Sequence, residues 1–355
     1  MINSILDKLI RFSKHELALR IYVDIALAIL SLIILAIFFQ GGRVNSNPRA
    51  NVDDMITGKA YRPFVTRALL PLTVKMISSV CPHEMKGTAK NIAASTNKFY
   101  NTLGRKQVDL DHSFEYFTAF FLIFFSLWGF LISIKSLFSA LYDSSKVLAH
   151  TIPLIALIIL PGFINYTTYL YDFPALFLFT LAFVFMVRRK WIAYLLVFIL
   201  GCINKETAIL LTILFFLQFR KDQKLGAKGF VLLLSLQILC WVGIRWWLSV
   251  LYAGNPGMNW EFHFVDHNML EIPPYPLSTA LSWGAILFLT IYKWAEKPLP
   301  MKRGALLFIP LFVLSIFWGF MDETRIFYEV YAPFFMLGIF SVVKMLGVEI
   351  KTREA

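Results

Sequence analysis

Charged residues are scarce in this chain. They make up 16% of its 355 residues, whereas soluble domains carry about 25%. Only three cysteines occur, Cys81, Cys202 and Cys240, and their spacing matches neither a disulfide framework nor a metal-binding motif. The long apolar runs lack polar–apolar alternation, which excludes a membrane β-barrel. These absences leave a helical membrane protein as the class that fits.

The positive charge of the chain does not form a single patch. The net charge is +12, but proteins that bind nucleic acid gather their Lys and Arg residues on one face or along one helix. Here the basic residues are spread over short connections between apolar segments. We therefore predict membrane lipid as a partner, and no nucleic acid.

Hydrophobic residues amount to 58% and fall into ten segments. A run of about 20 apolar residues spans a bilayer as a helix. The sequence thus predicts an all-α polytopic membrane protein, a single transmembrane domain over 1–355 without a separate soluble domain. The predicted spans are residues 21–40, 117–134, 148–164, 173–187, 191–203, 207–219, 230–251, 277–292, 305–320 and 326–346.

Two of these segments, 191–203 and 207–219, are short. A helix of about 13 residues is about 20 Å long, whereas the hydrocarbon core is about 30 Å thick. We expect tilted spans or broken helices here. Polar backbone at membrane depth is tolerated only against protein or a water-filled cavity, so the residues between them should face a cavity.

The connections on one side of the segments hold most of the basic residues. They carry twenty Lys and Arg residues, whereas the short connections on the other side carry two, Lys205 and Arg325. Basic residues mark the cytoplasmic side, and loops longer than about 60 residues, such as 41–114, escape this rule. The bias predicts that both termini are cytoplasmic. Without a small-residue cleavage site, segment 21–40 is predicted to be an uncleaved signal anchor, and the compact loops indicate a bacterial inner membrane.

The first outer loop, 41–114, carries adjacent carboxylates and a basic amphipathic stretch. Asp53 and Asp54 are candidates for a metal site or a general base. Residues 64–80 have apolar side chains at helical spacing, which predicts an interfacial helix. Its polar side would carry Arg62, Arg67 and Lys75, cations that suit a substrate phosphate or, alternatively, only lipid headgroups.

Three further groups of polar residues are predicted on the same side. Their members are Asn165, Tyr166, Tyr169, Tyr171 and Asp172, then Asn204, Lys205 and Glu206, and finally Asp322, Glu323, Arg325 and Glu329. Ionisable groups at the membrane mark functional sites by default. Each group also has a structural interpretation: Asp172 suits a helix N-cap, Lys205 and Glu206 suit ion pairs with each other or with neighbours, and Arg325 suits a pair with Asp322 or Glu329.

Two more outer features lack an assigned partner. Arg245 lies near the outer end of its predicted helix and requires a partner for its charge. The loop 255–276 carries Trp260, Glu261, His263, Asp266 and His267. Aromatic and carboxylate groups together suit sugar binding, whereas two histidines in a loop are usually solvated.

The residues Tyr171, Asp172 and Pro174, the run 188–191 and the run 204–208 resemble those of the GT-C superfold of membrane glycosyltransferases, as does the first outer loop. The resemblance covers residues 20–220 best. Many GT-C enzymes end in a soluble outer domain. We predict none for this chain, and its large insertion is instead 81–113, a polar stretch that suits an acceptor site.

The resemblance implies transfer of a sugar from a polyprenyl-phosphate donor on the outer face, usually with inversion. An acidic residue of the first outer loop typically acts as the base or orients the acceptor, a role that would fall on Asp53 or Asp54. Some members bind a divalent cation such as Mg²⁺ or Mn²⁺, for which the same two carboxylates are the candidates. Substrate binding would fall on Tyr171, Asp172, Asn204 and Glu206, while Arg62, Arg67, Lys205 or Arg325 neutralises the leaving phosphate.

Other functions remain compatible with the sequence. A flippase for lipid-linked oligosaccharides would use the same cations without a base, but it predicts internal repeats with matched broken helices, and only one short pair is present. A polysaccharide polymerase or ligase would place its long outer loop late in the chain, whereas here it comes early. A non-catalytic subunit with the same fold also fits the pattern.

Overall fold

The computed structural model describes residues 2–96, 109–164, 167–270, 277–321 and 323–353. The described chain is mostly helical. Its α-helices are α1 Ile2–Phe39, α2 Val52–Thr57, α3 Leu69–Val80, α4 His83–Ser95, α5 Ser113–Leu141, α6 Lys146–Ile159, α7 Asp172–Val187, α8 Trp191–Asn204, α9 Ile209–Phe219, α10 Gly226–Leu251, α11 Leu277–Ile291, α12 Leu299–Ala305, α13 Phe308–Trp318 and α14 Tyr328–Met345. Two short strands, β1 Tyr142–Asp143 and β2 Lys351–Thr352, pair antiparallel.

Six helical segments are long and apolar enough to cross a membrane, which confirms the prediction of an all-α membrane protein. They are Leu17–Asn45, Leu110–Leu141, Lys146–Phe163, Gly226–Leu251, Leu299–Trp318 and Thr324–Met345. The other four predicted spans coincide with the shorter apolar helices α7, α8, α9 and α11. Helices α8 and α9 correspond to the two segments that the sequence marks as short.

Helix α14 lies at the centre of the helix bundle. Within its apolar window 78% of the residues are buried, against 11% for α10, which lies at the periphery. Helix α14 packs against α7, α11 and α12, and α7 packs in turn against α5 and α8. The contact of α5 with α7 is close at Gly129, where a Cβ atom would lie 2.6 Å from the ring of Phe177. Small residues at such crossings let membrane helices approach one another.

The loop after α1 contains a 3₁₀ helix, Gln40–Asn45, and then the short helix α2. Asn51 caps this helix, because its side chain accepts a hydrogen bond of 2.8 Å from the backbone N–H of Asp54. Gly58 ends it in the left-handed conformation, with φ of +78°. The helix cap therefore fixes the position of the carboxylate pair that the sequence singles out.

Helix α3 is shorter than the amphipathic helix predicted at 64–80, because a 3₁₀ turn precedes it. It buries Leu70 and Val74 against the protein and exposes Met76 and Val80. A helix that keeps an exposed apolar face suits the surface of a bilayer. Helix α4 shows that the 81–113 insertion is partly helical, while residues 97–108 lie outside the described structure.

Polar contacts link the connections at each end of the bundle. At one end, which we call the basic end, Arg188 donates to the carbonyl of Ser136, Arg303 donates to that of Gln218, and Arg353 pairs with Asp143. At the other, the pocket end, the first loop meets the connections before α7, after α8, after α10 and before α14. This separation follows the alternation of basic and non-basic connections along the sequence.

Candidate functional site

A pocket of about 360 Å³ opens at the pocket end, within the usual range of about 300–1,000 Å³ for ligand sites. Five parts of the chain line it: the first loop, the connection before α7, the α8–α9 connection, the loop after α10, and the region from α13 to the start of α14. The residues important below are Asn47, Arg49, Phe64, Arg67, Tyr169, Lys205, Glu206, Thr207, Trp260, Glu261, His263, Trp318, Phe320, Glu323 and Arg325.

Two arginines of the pocket are held by a pair of stacked tyrosines. The rings of Tyr169 and Tyr171 lie 5.1 Å apart at an angle of 7°. Arg325 lies over Tyr169 at 4.3 Å, and Arg67 lies over Tyr171 at 4.6 Å. Cation–π contacts of this kind are stronger when the groups are buried. The stack fixes the separation of two guanidinium groups that come from opposite parts of the chain.

Arg67 is also bound by the carboxylate of Glu206 in a forked ion pair. Its Nε donates to Oε2 at 3.2 Å and its Nη2 donates to Oε1 at 2.5 Å, while Nη1 donates to the hydroxyl of Tyr171. Burial opposes the charge on the Arg67 guanidinium, but Glu206 outweighs burial and raises the pKa of Arg67 above its usual value. Arg67 is therefore a fixed cation of the pocket wall.

Glu206 also lies close to Arg245, a cation whose partner could not be assigned from the sequence. The Nη2 atom of Arg245 lies 3.7 Å from Oε2 of Glu206. The same guanidinium donates to the carbonyl and the hydroxyl of Thr66 at 3.0 and 2.9 Å. Glu206 is thus shared between two arginines and does not pair with its neighbour Lys205.

Lys205 instead pairs with Glu329, the second residue of α14. The Nζ–Oε1 distance is 2.6 Å, and the same oxygen accepts a hydrogen bond of 2.7 Å from Thr207. The side chain of Glu329 is fully buried. Next to this pair, the side chain of Asn204 donates to the backbone carbonyl of Tyr171 at 3.0 Å. This hydrogen bond helps to hold Tyr171 in the tyrosine stack.

Arg325 binds two carboxylates, and neither pair is the one predicted. Its Nη2 donates to Glu323 at 2.5 Å, and its Nη1 lies 3.4 Å from Asp172. Glu329 is engaged by Lys205, and Asp322 lies outside the described residues, as do Asn165 and Tyr166. The predicted pairing of Arg325 with Glu329 is therefore wrong.

Asp172 is not the N-cap of its helix. It is the first residue of α7 and Tyr171 precedes it as the cap residue. The Oδ2 atom of Asp172 accepts a hydrogen bond of 2.9 Å from the backbone N–H of Tyr169. This contact folds the chain back on itself, and the other oxygen faces Arg325.

Together these groups form an ion cluster without net formal charge. Its four cations are Arg67, Lys205, Arg245 and Arg325, and its four carboxylates are those of Asp172, Glu206, Glu323 and Glu329. Burial of a charge is tolerated only when it is paired. Buried atoms of the cluster that have no hydrogen-bond partner within the described residues are Asn204 Oδ1, Arg325 Nε and Glu329 Oε2. The cluster is therefore neutral, but its hydrogen bonding is incomplete.

The loop after α10, residues 252–270, forms the rim of the pocket. The backbone N–H of Arg62 donates to the carbonyl of Pro256 at 2.9 Å. Gly257 follows with φ of +84°, and a Cβ atom there would lie 2.6 Å from the carbonyl oxygen of Arg62. Only glycine fits this contact. Asn255 adds hydrogen bonds of 2.8 and 2.9 Å to the carbonyls of Gly58 and Ala60.

Six of the predicted site residues do not line the pocket. Tyr171, Asp172 and Asn204 lie behind it in the contacts described above, whereas Arg62, Asp53 and Asp54 have other partners. Arg62 contacts the rim through its backbone N–H, which donates to the carbonyl of Pro256. Asp54 accepts a hydrogen bond of 2.6 Å from the side chain of Asn51, and Asp53 lies 3.1 Å from Nδ1 of His112. These contacts give each aspartate a local structural role, and the assignment of either one as the base stays a prediction.

The described residues contain no group of three or more His, Cys, Asp or Glu side chains that could hold a metal ion. The sequence analysis named Asp53 and Asp54 as the ligands if a cation is bound. In the structure they face different partners, Asn51 and His112. Neither the carboxylate pair nor the pocket presents a ready metal site in the part of the chain that is described.

Some residues of the pocket were not singled out from the sequence. Arg49 pairs with Glu261 at 3.2 Å, and both line the pocket. Trp318 and Phe320 line it as well. The pair of Arg49 with Glu261 joins positions 212 residues apart, so no local spacing could indicate it. The one available signal was the concentration of aromatic and charged residues in the outer connections.

Searches of protein-family models, of curated proteins and of solved structures each return no match for this chain. Its function therefore has to be argued from the site itself.

Proposed function

We propose that this protein is a membrane glycosyltransferase that moves a sugar from a polyprenyl-phosphate donor to a glycan or another cell-envelope acceptor. The observation that supports it most is the convergence of Arg67, Lys205 and Arg325 on one pocket at the end of an apolar bundle. In this proposal the pocket end is extracytoplasmic. The basic end and both termini are then cytoplasmic, in agreement with the charge bias.

The composition of the ion cluster suits a sugar phosphate better than a simple anion. Guanidinium groups bind phosphate oxygens through paired donors, and fixed cations stabilise the charge that develops on a leaving phosphate. Carboxylates in the same pocket accept hydrogen bonds from sugar hydroxyls. A cluster in which cations and carboxylates alternate supplies both kinds of contact, whereas an anion site would carry excess positive charge.

Aromatic side chains complete the sugar-binding character of the pocket. Trp260, Trp318 and Phe320 line it together with the stacked Tyr169. Aromatic rings offer an apolar face for the C–H groups of a sugar ring and, in tryptophan and tyrosine, a polar edge as well. The pocket thus combines the features expected for a bound glycan.

The pocket has a wall that a lipid-linked substrate can reach from the bilayer. Helix α13 contributes Leu311 and Leu314 to the lining. Its other residues Ile309 and Val313 are exposed, and in a bilayer they would face lipid. A donor whose phosphate lies among the cations can therefore keep its hydrocarbon chain beside α13 in the membrane.

The proposal is tested by lipid binding and by transfer. Native mass spectrometry of the detergent-solubilised protein should detect bound polyprenyl phosphate. Arg67→Ala should weaken this binding about tenfold or more, because a hydrogen-bonded charge contributes about 1.5–3 kcal/mol. The matched control is Lys75→Ala on α3, an exposed basic residue of the same loop outside the pocket lining.

The outcomes separate the competing functions. If Arg67→Ala and Lys75→Ala weaken lipid binding equally, the binding reflects a general contact with lipid headgroups and not a specific site. Sugar that moves from the lipid to an acceptor, detected by analysis of the product, identifies a transferase. A lipid-linked sugar that crosses the membrane chemically unchanged would instead identify a flippase and contradict the proposal.

A further inference from the structure

The rim of the pocket carries a histidine whose orientation is fixed on several sides. The backbone N–H of His263 donates to the carbonyl of Phe317 at 2.9 Å. Its ring packs on Phe320 with the centroids 4.7 Å apart. The side chain is mostly buried and lines the pocket. In contrast to the sequence-based interpretation of a solvated loop histidine, His263 is held in place.

Each ring nitrogen of His263 lies near a carboxylate. The Nδ1 atom is 3.3 Å from Oδ2 of Asp266, and the Nε2 atom is 3.5 Å from Oε2 of Glu261. Glu261 is already bound by Arg49, which donates to both of its oxygens. A hydrogen on Nδ1 directed at Asp266 would fix the tautomer in which Nε2 keeps its lone pair. A carboxylate orients a catalytic imidazole in the same manner in hydrolase triads.

The other proton acceptors of the pocket are bound to cations. Glu206 is held by Arg67, Glu261 by Arg49, and Glu323 by Arg325. A carboxylate that is paired with an arginine is stabilised as the anion and accepts a proton poorly. Among the described residues that line the pocket, His263 is the titratable proton acceptor with no cationic partner. Asp53 and Asp54 do not line the pocket at all.

We propose that His263 is the general base of the reaction and that Asp266 is its positioning residue, an inference that rests on the proposed transferase function. The hydroxyl oxygen of the acceptor bonds to the anomeric carbon of the donor sugar while the bond from that carbon to the phosphate oxygen breaks. The electron pair of the broken bond stays on the polyprenyl phosphate. The hydroxyl proton moves to Nε2 of His263 and is later released to solvent.

The test compares His263→Ala with His267→Ala in a transfer assay with a polyprenyl-phosphate sugar donor. His267 is a matched control, because it also packs on Phe320 in the same turn but does not line the pocket. A general base contributes about 10²–10⁴ in rate. His263→Ala should therefore lose about 100-fold or more in turnover with unchanged donor affinity, whereas His267→Ala stays within about threefold of the wild type.

A rescue experiment separates catalysis from structure. Added imidazole should restore part of the turnover of His263→Ala and none in His267→Ala, since a small base can occupy only a cavity that the substitution opens. Asp266→Asn should also reduce turnover relative to the wild type, but by a smaller factor than His263→Ala. A loss of donor affinity in His263→Ala, or a failure of imidazole to restore turnover, would overturn the assignment.

Parallel variants Asp53→Asn and Asp54→Asn test the rival base. Full loss of turnover in one of them, with His263→Ala near the wild-type rate, would assign the base to the first loop and overturn the present inference while leaving the transferase function intact. Absence of transfer by the wild-type protein across donor sugars would overturn both, so the two failures are distinguishable.

Discussion

The two ends of the bundle use the same kinds of charged residue in different ways. At the basic end the pair of Arg353 with Asp143 is exposed, with 53% and 72% of the side-chain surfaces accessible, and the pair of Arg189 with Asp222 is half-buried, with 31% and 14%. At the pocket end Lys205 and Glu329 retain only 10% and 0%. Exposed pairs contribute about 0–1 kcal/mol, so they add little to the free energy of unfolding.

Buried ion pairs contribute little net free energy to folding. Removing two charges from water costs several kcal/mol per ion, and their attraction often fails to exceed this cost. In the ion cluster Asp172, Lys205, Glu323, Arg325 and Glu329 are buried, and burial of so many charges requires a reason other than stability. We infer that the pocket end binds a ligand, and three experiments test the difference between the two ends.

The largest expected effect is an all-or-none difference in labelling. In a variant whose three cysteines are replaced by serine, Lys224→Cys reports on the basic end and Asn259→Cys on the pocket rim. Both positions are exposed. In intact cells a membrane-impermeant maleimide should label only Asn259→Cys, and inverted vesicles should give the opposite result. Labelling of both positions from the same side would contradict the assignment of the basic end and the pocket end to opposite sides of the membrane.

A large loss of stability is expected from Lys205→Met. The substitution leaves the buried carboxylate of Glu329 without its cation, which should cost about 3–5 kcal/mol. Thermal unfolding in detergent measures the loss, and the double variant with Glu329→Leu should recover most of it. The control is Lys344→Met at the basic end, whose partner Glu296 is exposed, with an expected change below about 1 kcal/mol. Equal losses of stability in Lys205→Met and Lys344→Met would contradict the expected difference between the two ends.

The smallest effect is expected from Asp222→Asn at the basic end. The forked hydrogen bonds from Arg189 lower the pKa of Asp222 to about 2. Since an unfolded aspartate titrates near 3.9, the pair stabilises the fold fully above that pH and loses its contribution as the pH falls toward 2. Asp222→Asn should cost about 0.5 kcal/mol at neutral pH.

The measurement is the difference in unfolding temperature between wild type and Asp222→Asn from pH 6 to pH 2.5. This difference should shrink on acidification, because the wild type loses its ion pair while the variant has none to lose. A difference that is constant with pH would show that the substitution acts through something other than the ion pair.

The fold was largely predictable because apolar runs and basic connections are local features of the sequence. The predicted span 117–134 lies within α5, and the short pair 191–203 and 207–219 appears as α8 and α9. The count of ten crossings stays a prediction, since six described segments are long enough to span. Helix starts were less predictable, as at Asp172, because they depend on which neighbour accepts each backbone hydrogen bond.

The site was predicted in part for the same reason. Many of its residues were named from the sequence, among them Arg67, Tyr171, Asp172, Asn204, Lys205, Glu206 and Arg325. Their partners were not, because pairs such as Lys205 with Glu329 join positions 124 residues apart. Arg67 is instructive: the sequence places it on the polar face of a helix at the lipid surface. In the structure its backbone is not helical, and the next residue, Ala68, donates to the carbonyl of Ile203 at 3.0 Å, so Arg67 turns into the pocket.

The burial of the ion cluster has a practical consequence for lipid that co-purifies with the protein. Mobile ions screen exposed charges beyond about 8 Å at physiological ionic strength but screen buried pairs much less. Anionic phospholipid held at the basic end should therefore wash off in concentrated salt, whereas a phosphate bound among Arg67, Lys205 and Arg325 should resist the same wash. Ionic strength during purification thus sorts bound lipids by the end of the molecule they occupy.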